Sequence, residues 1–429
     1  MSLKPSGSKL NIIMFGFNDW ETWRSGGFCT RCAKFAKLLS ERPEIGKIVV
    51  VSTPKSIFTK FWRALGRRSG YSGTYIARGL WFSLRQVGKN VYALDHFRLL
   101  PREEASNLFL KINSFIHNRF LRTQILSVAK RLEIEDFILW LANPLMATHI
   151  GRLGERVSVF DAIDDWRLHP QKRRIRKTLV DAYERVVKKA DIITTVSEQL
   201  KHQLSAGRTN VHWVPNGIDV AFFSSPRPAP PELAYLTHPI FEYVGRLQER
   251  VDVDLIEGIA LAIPEASIAL VGPVLAPSHF GKLKKQSNVH FLGPKNHADI
   301  PAFMQHADVC IMPHVVDDFT KSMNPLKLYE YIAAGSPVVA TKIAGLESFK
   351  RLAYLAPDSK AFVAKLKALA GAELRLDMEK QRADFLHSCD WQKRLDSLLE
   401  IIEAHHRKSI ADNPAAAGAV PPKRATYAN

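Results

Sequence analysis

The segment Lys321-Ser-Met-Asn-Pro-Leu-Lys-Leu-Tyr-Glu-Tyr-Ile-Ala-Ala-Gly-Ser-Pro-Val-Val-Ala340 concentrates the residue types that bind a diphosphate. Asn324 reads as a helix N-cap, and Pro325 as the first helical position, where a missing N–H is no loss. Lys327 then falls in the first turn. Glu330 follows three residues later on the same helical face. Exposed N–H groups at a helix start, with an ammonium beside them, attract an anion. A carboxylate one turn in accepts hydrogen bonds from vicinal hydroxyls such as those of a ribose. The same spacing also describes an ordinary capped surface helix with a Lys/Glu pair. Gly335 is expected to end the helix, and Pro337-Val-Val-Ala340 reads as a short buried strand.

Three other segments carry candidate chemistry. Gly245-Arg-Leu-Gln-Glu-Arg250 follows an apolar strand, so Arg246 and Arg250 stand where two guanidinium groups clamp a diphosphate with paired donors. Phe160-Asp-Ala-Ile-Asp-Asp-Trp166 ends a strand with three carboxylates in five residues. Asp164 or Asp165 is a sensible general base there, especially if a neighbouring carboxylate raises its pKa. A helix cap and a metal site compete with that reading, and the chemistry requires no metal. Between the first strand and its helix, Gly26 and Gly27 let a ligand approach the backbone closely. They form neither a GxGxxG fingerprint nor a Walker loop, which leaves dinucleotide binding and ATP hydrolysis poorly supported. Cys29-Thr-Arg-Cys32 has redox-motif spacing without a second pair at zinc spacing, and structural thiols fit the pattern better.

These residues need a scaffold, and the hydrophobic pattern supplies one. Leu10 to Phe17 is a near-continuous apolar run, followed by a Gly-rich loop, a helix from about Cys29 to Leu39, and the run Lys47-Ile-Val-Val-Val-Ser52. That is a βαβ unit with a right-handed crossover. Further strands are expected over 137–141, 157–161, 191–196 and 211–214, and Pro215-Asn-Gly217 is a strong turn signal. A second series runs through 241–245, 267–272, 289–293, 307–312 and 337–340. Strands alternating with helices and ending in Gly or Pro imply an open parallel sheet covered on both faces. The fold class is therefore α/β, with two Rossmann-like doubly wound domains facing across a cleft. The expected boundaries are 1–205, 206–372, C-terminal helices over 373–408 packing back on the first domain, and a disordered tail over 409–429.

Length and composition agree with this plan. At 429 residues the chain exceeds one ordinary core, and a hydrophobic fraction of 46% is that of a globular protein. No apolar run reaches the length of a membrane span, and the N-terminus lacks an apolar signal core, so a cytoplasmic location is expected. The formal charge of +18 calls for an anionic partner or surface. Residues 55–94 hold eight basic residues and no acidic ones, interleaved with aromatic rings, and a second basic run covers 167–177. Basic plus aromatic is what a membrane-surface element needs. Single-stranded nucleic acid uses the same ingredients, as does a solvated face.

Taken together, the chain resembles a glycosyltransferase of the two-Rossmann GT-B type. It is similar to the bacterial exopolysaccharide and teichuronic-acid group and to the glucuronosyltransferase of xanthan assembly. The carrying motifs are Val214-Pro-Asn-Gly-Ile-Asp219, Tyr243-Val-Gly-Arg-Leu247, Leu270-Val-Gly-Pro273, Phe291-Leu-Gly-Pro294 and Asn324-Pro-Leu-Lys-Leu-Tyr-Glu-Tyr331. Asp19-Trp-Glu-Thr-Trp23 and Phe160-Asp-Ala-Ile-Asp-Asp165 resemble the group more loosely. The resemblance implies a nucleotide-sugar donor, UDP-linked, as substrate with no cofactor. In it Arg246, Arg250 and Lys327 hold the diphosphate and Glu330 the ribose. Asn324, Lys321 and Ser322 complete the donor side, and Asp19, Gly26 and Gly27 lie on the acceptor side. Many retaining relatives carry two glutamates seven residues apart, and the first falls here on Ser322, which favours an inverting outcome. A lysine at 321 suits an acidic sugar.

The expectation is hexosyl or glucuronosyl transfer to a saccharide or lipid-linked acceptor. It would take place in bacterial cell-surface polysaccharide synthesis, with the protein peripheral on the inner face of the membrane and no nucleic acid partner. A nucleotide-sugar epimerase on the same fold, or a non-catalytic basic protein docking on membrane or RNA, are the competing readings.

Overall fold

The computed structural model describes residues 9–56, 71–98, 107–343, 345–370 and 379–412. Residues 57–70 of the basic-aromatic run, and the tail beyond 412, lie outside the described residues. The chain divides into two compact units. The first comprises 1–195, 201–214 and 395–429, and the second 196–200 and 215–394.

The first unit is built on a ten-stranded sheet. Its strands are β1 (Leu10–Phe15), β2 (Ile45–Val51), β3 (Lys55–Ser56), β4 (Thr74–Arg78), β5 (Phe82–Gln86), β6 (Val91–Arg98), β7 (Phe137–Leu141), β8 (Val157–Ala162), β9 (Ile192–Thr195) and β10 (Val211–Trp213). The order is β10-β9-β8-β7-β1-β2-β6-β5-β4, with β3 pairing β6. From β10 to β6 every pairing is parallel, while β4, β5 and β6 form an antiparallel edge. This edge departs from the all-parallel expectation. The run 74–98 does alternate in the strand manner, punctuated by Gly79 and Gly88, beneath its basic and aromatic content. β7 and β8 are buried throughout, as central strands covered on both faces must be. The loop after β1 folds into a short helix, α1 (Trp20–Ser25), before α2 (Arg31–Glu41). α3 (Asn107–Arg131) and α4 (Arg176–Lys189) complete the helices used below.

The second unit holds a six-stranded, wholly parallel sheet. Its strands are β11 (Ile240–Val244), β12 (Ser267–Val271), β13 (Val289–Gly293), β14 (Val309–Met312), β15 (Val338–Thr341) and β16 (Tyr354–Ala356), in the order β13-β12-β11-β14-β15-β16. The alternation along β11 divides the core. Ile240 and Val244 join Met312, Leu328 and Ile332 on one face, while Phe241 and Tyr243 join Ile256, Ile259 and Phe362 on the other. Helices α5 (Val253–Ala262), α6 (Asp318–Lys321) and α7 (Leu326–Ala334) follow β11 and β14, and α8 (Trp391–Asp412) runs from this unit into residues assigned to the first. In each sheet the chain builds outward from one central strand, then returns to build on its other side. The reversals lie at β1/β7 and at β11/β14, and ligands of such sheets collect beyond the carboxyl ends of those strands.

Candidate active site

The carboxyl end of β11 carries Arg246, and the geometry that puts it there depends on two glycines. Gly245 N–H donates to Val271 O at 2.8 Å, so β11 and β12 stay paired to their last residue. Gly272 has φ of 141°, and a Cβ there would sit 1.8 Å from Gly245 O. Only glycine lets the two strand ends close this tightly. Leu247, fully buried, then pins the loop through its N–H to Pro273 O at 3.0 Å. Arg246 between them is left exposed, and Arg250 is half-buried.

On the neighbouring strand end, α7 presents Lys327 and Glu330. Its cap differs from the sequence expectation. Pro325, with φ −70° and ψ 116°, is the N-cap, and no side chain caps the helix. Asn324 instead anchors an earlier turn of the chain. Its Oδ1 accepts from Asn216 N at 2.9 Å and from Tyr329 Oη at 3.1 Å, and its carbonyl accepts from Asn216 Nδ2 at 2.7 Å. The turn at 215–217 thus fixes where α7 begins. Gly217 is required in it, because a Cβ would meet Trp391 at 2.8 Å. At the other end of α7, Gly335 adopts φ 89° and closes the helix as expected. Lys327 Nζ pairs with Glu330 Oε2 at 2.6 Å, and Tyr331 Oη accepts from Val244 N–H at 2.9 Å. That last bond ties α7 to the carboxyl end of β11. Upstream, Lys321 pairs with Asp318 at 3.0 Å, and Ser322 is fully buried with its hydroxyl given to Phe319 O at 2.7 Å.

Two residues that the sequence did not single out stand in this region. His314, two residues past β14, is buried; burial and the nearby Arg250 charge bring its pKa down to about 3. It is neutral at pH 7 and keeps an N–H to donate. Glu242, on β11 opposite Cys310, is fully buried, and neither carboxylate oxygen has a hydrogen-bond partner. Burial raises its pKa to about 8 despite the opposing charge of Lys327. A buried His or Glu in an apolar strand context carries no periodic signal that sequence reasoning could use.

In the first unit the three carboxylates at the end of β8 have separate environments. Asp161 is fully buried against Arg31 of α2, with Nε at 2.9 and 3.1 Å from its oxygens, and also accepts from Thr194 Oγ1 at 2.8 Å. Asp165 is buried and held by Arg167, whose Nε and a terminal nitrogen donate at 2.8 and 2.7 Å. Asp164, between them in sequence, is half-buried, and its carbonyl accepts from Tyr183 Oη at 2.7 Å. Trp166 stacks on Phe17 with centroids 4.1 Å apart, which brings this loop beside the carboxyl end of β1.

Asp19 caps α1 through Thr22 N–H at 2.7 Å and pairs with Lys55 at 2.7 Å. Burial pushes its pKa up, but the Lys55 charge and the bonds from Lys55 and Thr22 outweigh it and hold it at about 2. Gly26 ends α1, and Gly27 takes φ 68° in the turn to α2. None of the four cysteines, all among the described residues, is in a disulfide, and Cys29 is exposed while Cys32 is buried. Arg85, counted in the basic run, is fully buried between Glu21 and Asp95 at 2.7 and 2.8 Å. Lys55 is likewise shared between Asp19 and Asp95.

Comparison with known proteins bears on these arrangements. Residues 238–371 match the family model for glycosyl transferases group 1. Among curated proteins the chain is similar to the putative teichuronic acid biosynthesis glycosyltransferase TuaH of Bacillus subtilis (strain 168), 28% identical over 228 residues. That match covers 50% of this chain and 57% of the relative. Among solved structures it is similar to the α,α-trehalose 6-phosphate synthase of Burkholderia multivorans, with TM-score 0.69 and 13% identity over 96% of this chain and 99% of that one. The sucrose-phosphate synthase of Thermosynechococcus elongatus gives 0.65 and 14% over 94% and 100%. Anabaena HepE, solved with UDP and glucose, gives 0.60 and 14% over 92% and 99%. The chain therefore has the GT-B fold, and its residues 238–371 are a glycosyltransferase group 1 domain.

Proposed function

We propose that this protein transfers a sugar from a UDP-linked donor to a saccharide or lipid-linked acceptor during assembly of a cell-surface polysaccharide. The observation that carries the reading is the Lys327–Glu330 pair at an uncapped helix start, tied through Tyr331 to the strand that bears Arg246, inside the group 1 domain. A diphosphate displaces Glu330 from Lys327, takes the free N–H groups of the first turn, and accepts from Arg246 and Arg250. Glu330, released, accepts from the ribose hydroxyls. His314, neutral at pH 7, donates rather than repels near the same cations.

Asp164 or Asp165, in the loop after β8, is the general base in this scheme. Asp161, fully buried against Arg31, is held in a structural pair. Deprotonation of an acceptor hydroxyl by one of these two carboxylates of the loop, for direct attack on the donor's anomeric carbon, gives an inverting displacement. The cations and the helix start neutralise the departing diphosphate. Similarity to TuaH supports a cell-surface polysaccharide as the product class, and HepE, solved with UDP and glucose, supports a uridine donor.

A thermal-unfolding panel of nucleotide sugars tests the donor. One nucleotide family should raise the melting temperature, and Lys327→Ala should lower its affinity about 10- to 100-fold, the loss of one charge-assisted bond. Undiminished protection in the variant would defeat the donor site. Isomerisation of the donor without any acceptor would favour an epimerase instead.

A further inference from the structure

Buried polar atoms nearly always find a partner, so a local concentration of unpartnered ones needs an explanation. The first unit has such a concentration at the carboxyl end of β6 and just past those of β2 and β7. His96 of β6 stacks on His117 of α3, with ring centroids 4.9 Å apart, and its Nε2 bonds Ser52 O at 2.7 Å. Behind β7, His149 packs on Phe15 at 5.3 Å and lies within electrostatic reach of both other rings. His96 and His149 are 1% and 2% exposed. His96 Nδ1, His117 Nε2, His149 Nε2 and the Ser52 hydroxyl have no partner. Gln124, seven residues on from His117 along the same face of α3, has neither amide atom satisfied.

Four cations, Lys55, Arg98, Arg122 and Arg152, act on these rings. Burial and then Arg98 bring His117 down to about 4. Burial, His117, Arg122 and Arg152 do the same to His149. Burial, His117, His149 and Lys55 hold His96 well below its ordinary value against the raising effect of the Ser52 carbonyl. Lys55 is itself paired with Asp19 and Asp95, and Arg85 with Glu21 and Asp95. His117 Nε2, His149 Nε2 and the Ser52 hydroxyl can each present a proton here, while His96, whose Nε2–H is given to Ser52 O, presents a lone pair until it takes up a second proton; buried donors in a positive field are what stabilises an oxyanion. A metal ion would add positive charge to that field, and among the described residues no three His, Cys, Asp or Glu are grouped to hold one.

We propose that this histidine cluster is an oxyanion site in the first unit, taking a phosphate or diphosphate group. Identification of that group as one carried by the acceptor rests on the transferase reading above; the site itself does not. Arrival of the anion reverses the field on the imidazoles, so binding draws in a proton.

The test uses full-length protein saturated with UDP, so that the donor region is filled, titrated calorimetrically with inorganic pyrophosphate near neutral pH. Two buffers of different ionisation enthalpy report the proton. Association with net proton uptake is expected, weakened about tenfold in His149→Phe and in Arg122→Gln, the second being half-buried and tolerant of replacement. The thermal shift by UDP checks each variant's fold. Pyrophosphate binding that is insensitive to both variants and without proton uptake would mean surface charge only and overturn the site. So would no association at all, or a His149-dependent stabilisation by zinc alone. Absence of the UDP shift with the pyrophosphate response intact would sink the donor reading and leave this site standing. A phosphorylated saccharide that competes with pyrophosphate, where its dephosphorylated form does not, would place the acceptor there.

Discussion

A carboxyl cut off from water keeps its proton unless something replaces the lost hydration, and for Glu242 only the distant charge of Lys327 does so. Its pKa of about 8 in the folded chain exceeds the ordinary 4.5, so between those values the folded state holds a proton that the unfolded chain has released. Stability therefore falls as pH rises through that window, by about 1.4 kcal/mol per pH unit, and levels off above it. Glu242→Gln, measured by urea unfolding from pH 5 to 8, should lose that slope and be the more stable protein at the alkaline end. An unchanged slope would mean that Glu242 is ionised in the fold. Arg31 and Asp161 show the opposite case, a buried pair whose members answer each other. Arg31→Met leaves Asp161 charged and fully buried, and should cost about 3–5 kcal/mol, most of it regained on adding Asp161→Leu. The sequence offered Asp164 or Asp165 of this loop as the base. What commits Asp161 to structure is Arg31, far away in the chain, a partner that no local spacing reveals.

Elements were legible where a periodic signal was backed by punctuation. All five strands expected of the second sheet are present, and Gly335 closes α7 where the sequence put the stop. The antiparallel edge β4-β5-β6 and the short β16 escaped, the first because charge masked its alternation and the second because three residues show no period. The start of α7 was off by one residue for an instructive reason. Asn324 has the chemistry of an N-cap, yet its oxygen is committed to Asn216, over a hundred positions earlier. Local propensity gave way to a tertiary bond. It also explains why the motif at 214–219 accompanies the one at 324–331: the first is the clamp that holds the second. A double-mutant cycle measures this. Asn216→Ala and Asn324→Ala should each destabilise by about 1–3 kcal/mol, with a coupling energy of about 1–2 kcal/mol. Additive losses would mean the two asparagines act separately. Because α7 carries Lys327, both variants should also weaken nucleotide-sugar protection while leaving Lys327 itself in place.

On the scale of the whole chain, a charge of +18 must be balanced by something, and the structure narrows which charges are available. Lys55 and Arg85 are held in internal pairs, so the run at 55–94 contributes less free charge than its composition implies. No helix among the described residues is long and apolar enough to cross a membrane. Arg173, Arg174, Arg176 and Lys177 are exposed together on the 3₁₀ turn and the start of α4, beyond the acid-bearing loop. Each cation near an anionic leaflet contributes about 1 kcal/mol, falling off within a Debye length. Reversing all four to Glu should reduce partitioning onto phosphatidylserine-containing vesicles by at least about 100-fold at low salt, judged by co-sedimentation. Wild-type binding should itself vanish on raising the salt to about 0.5 M, where charges screen within a few ångströms. Vesicle binding that survives high salt would point to inserted aromatic rings as the anchor. Binding by the reversed variant at wild-type strength would move the membrane face away from α4 altogether.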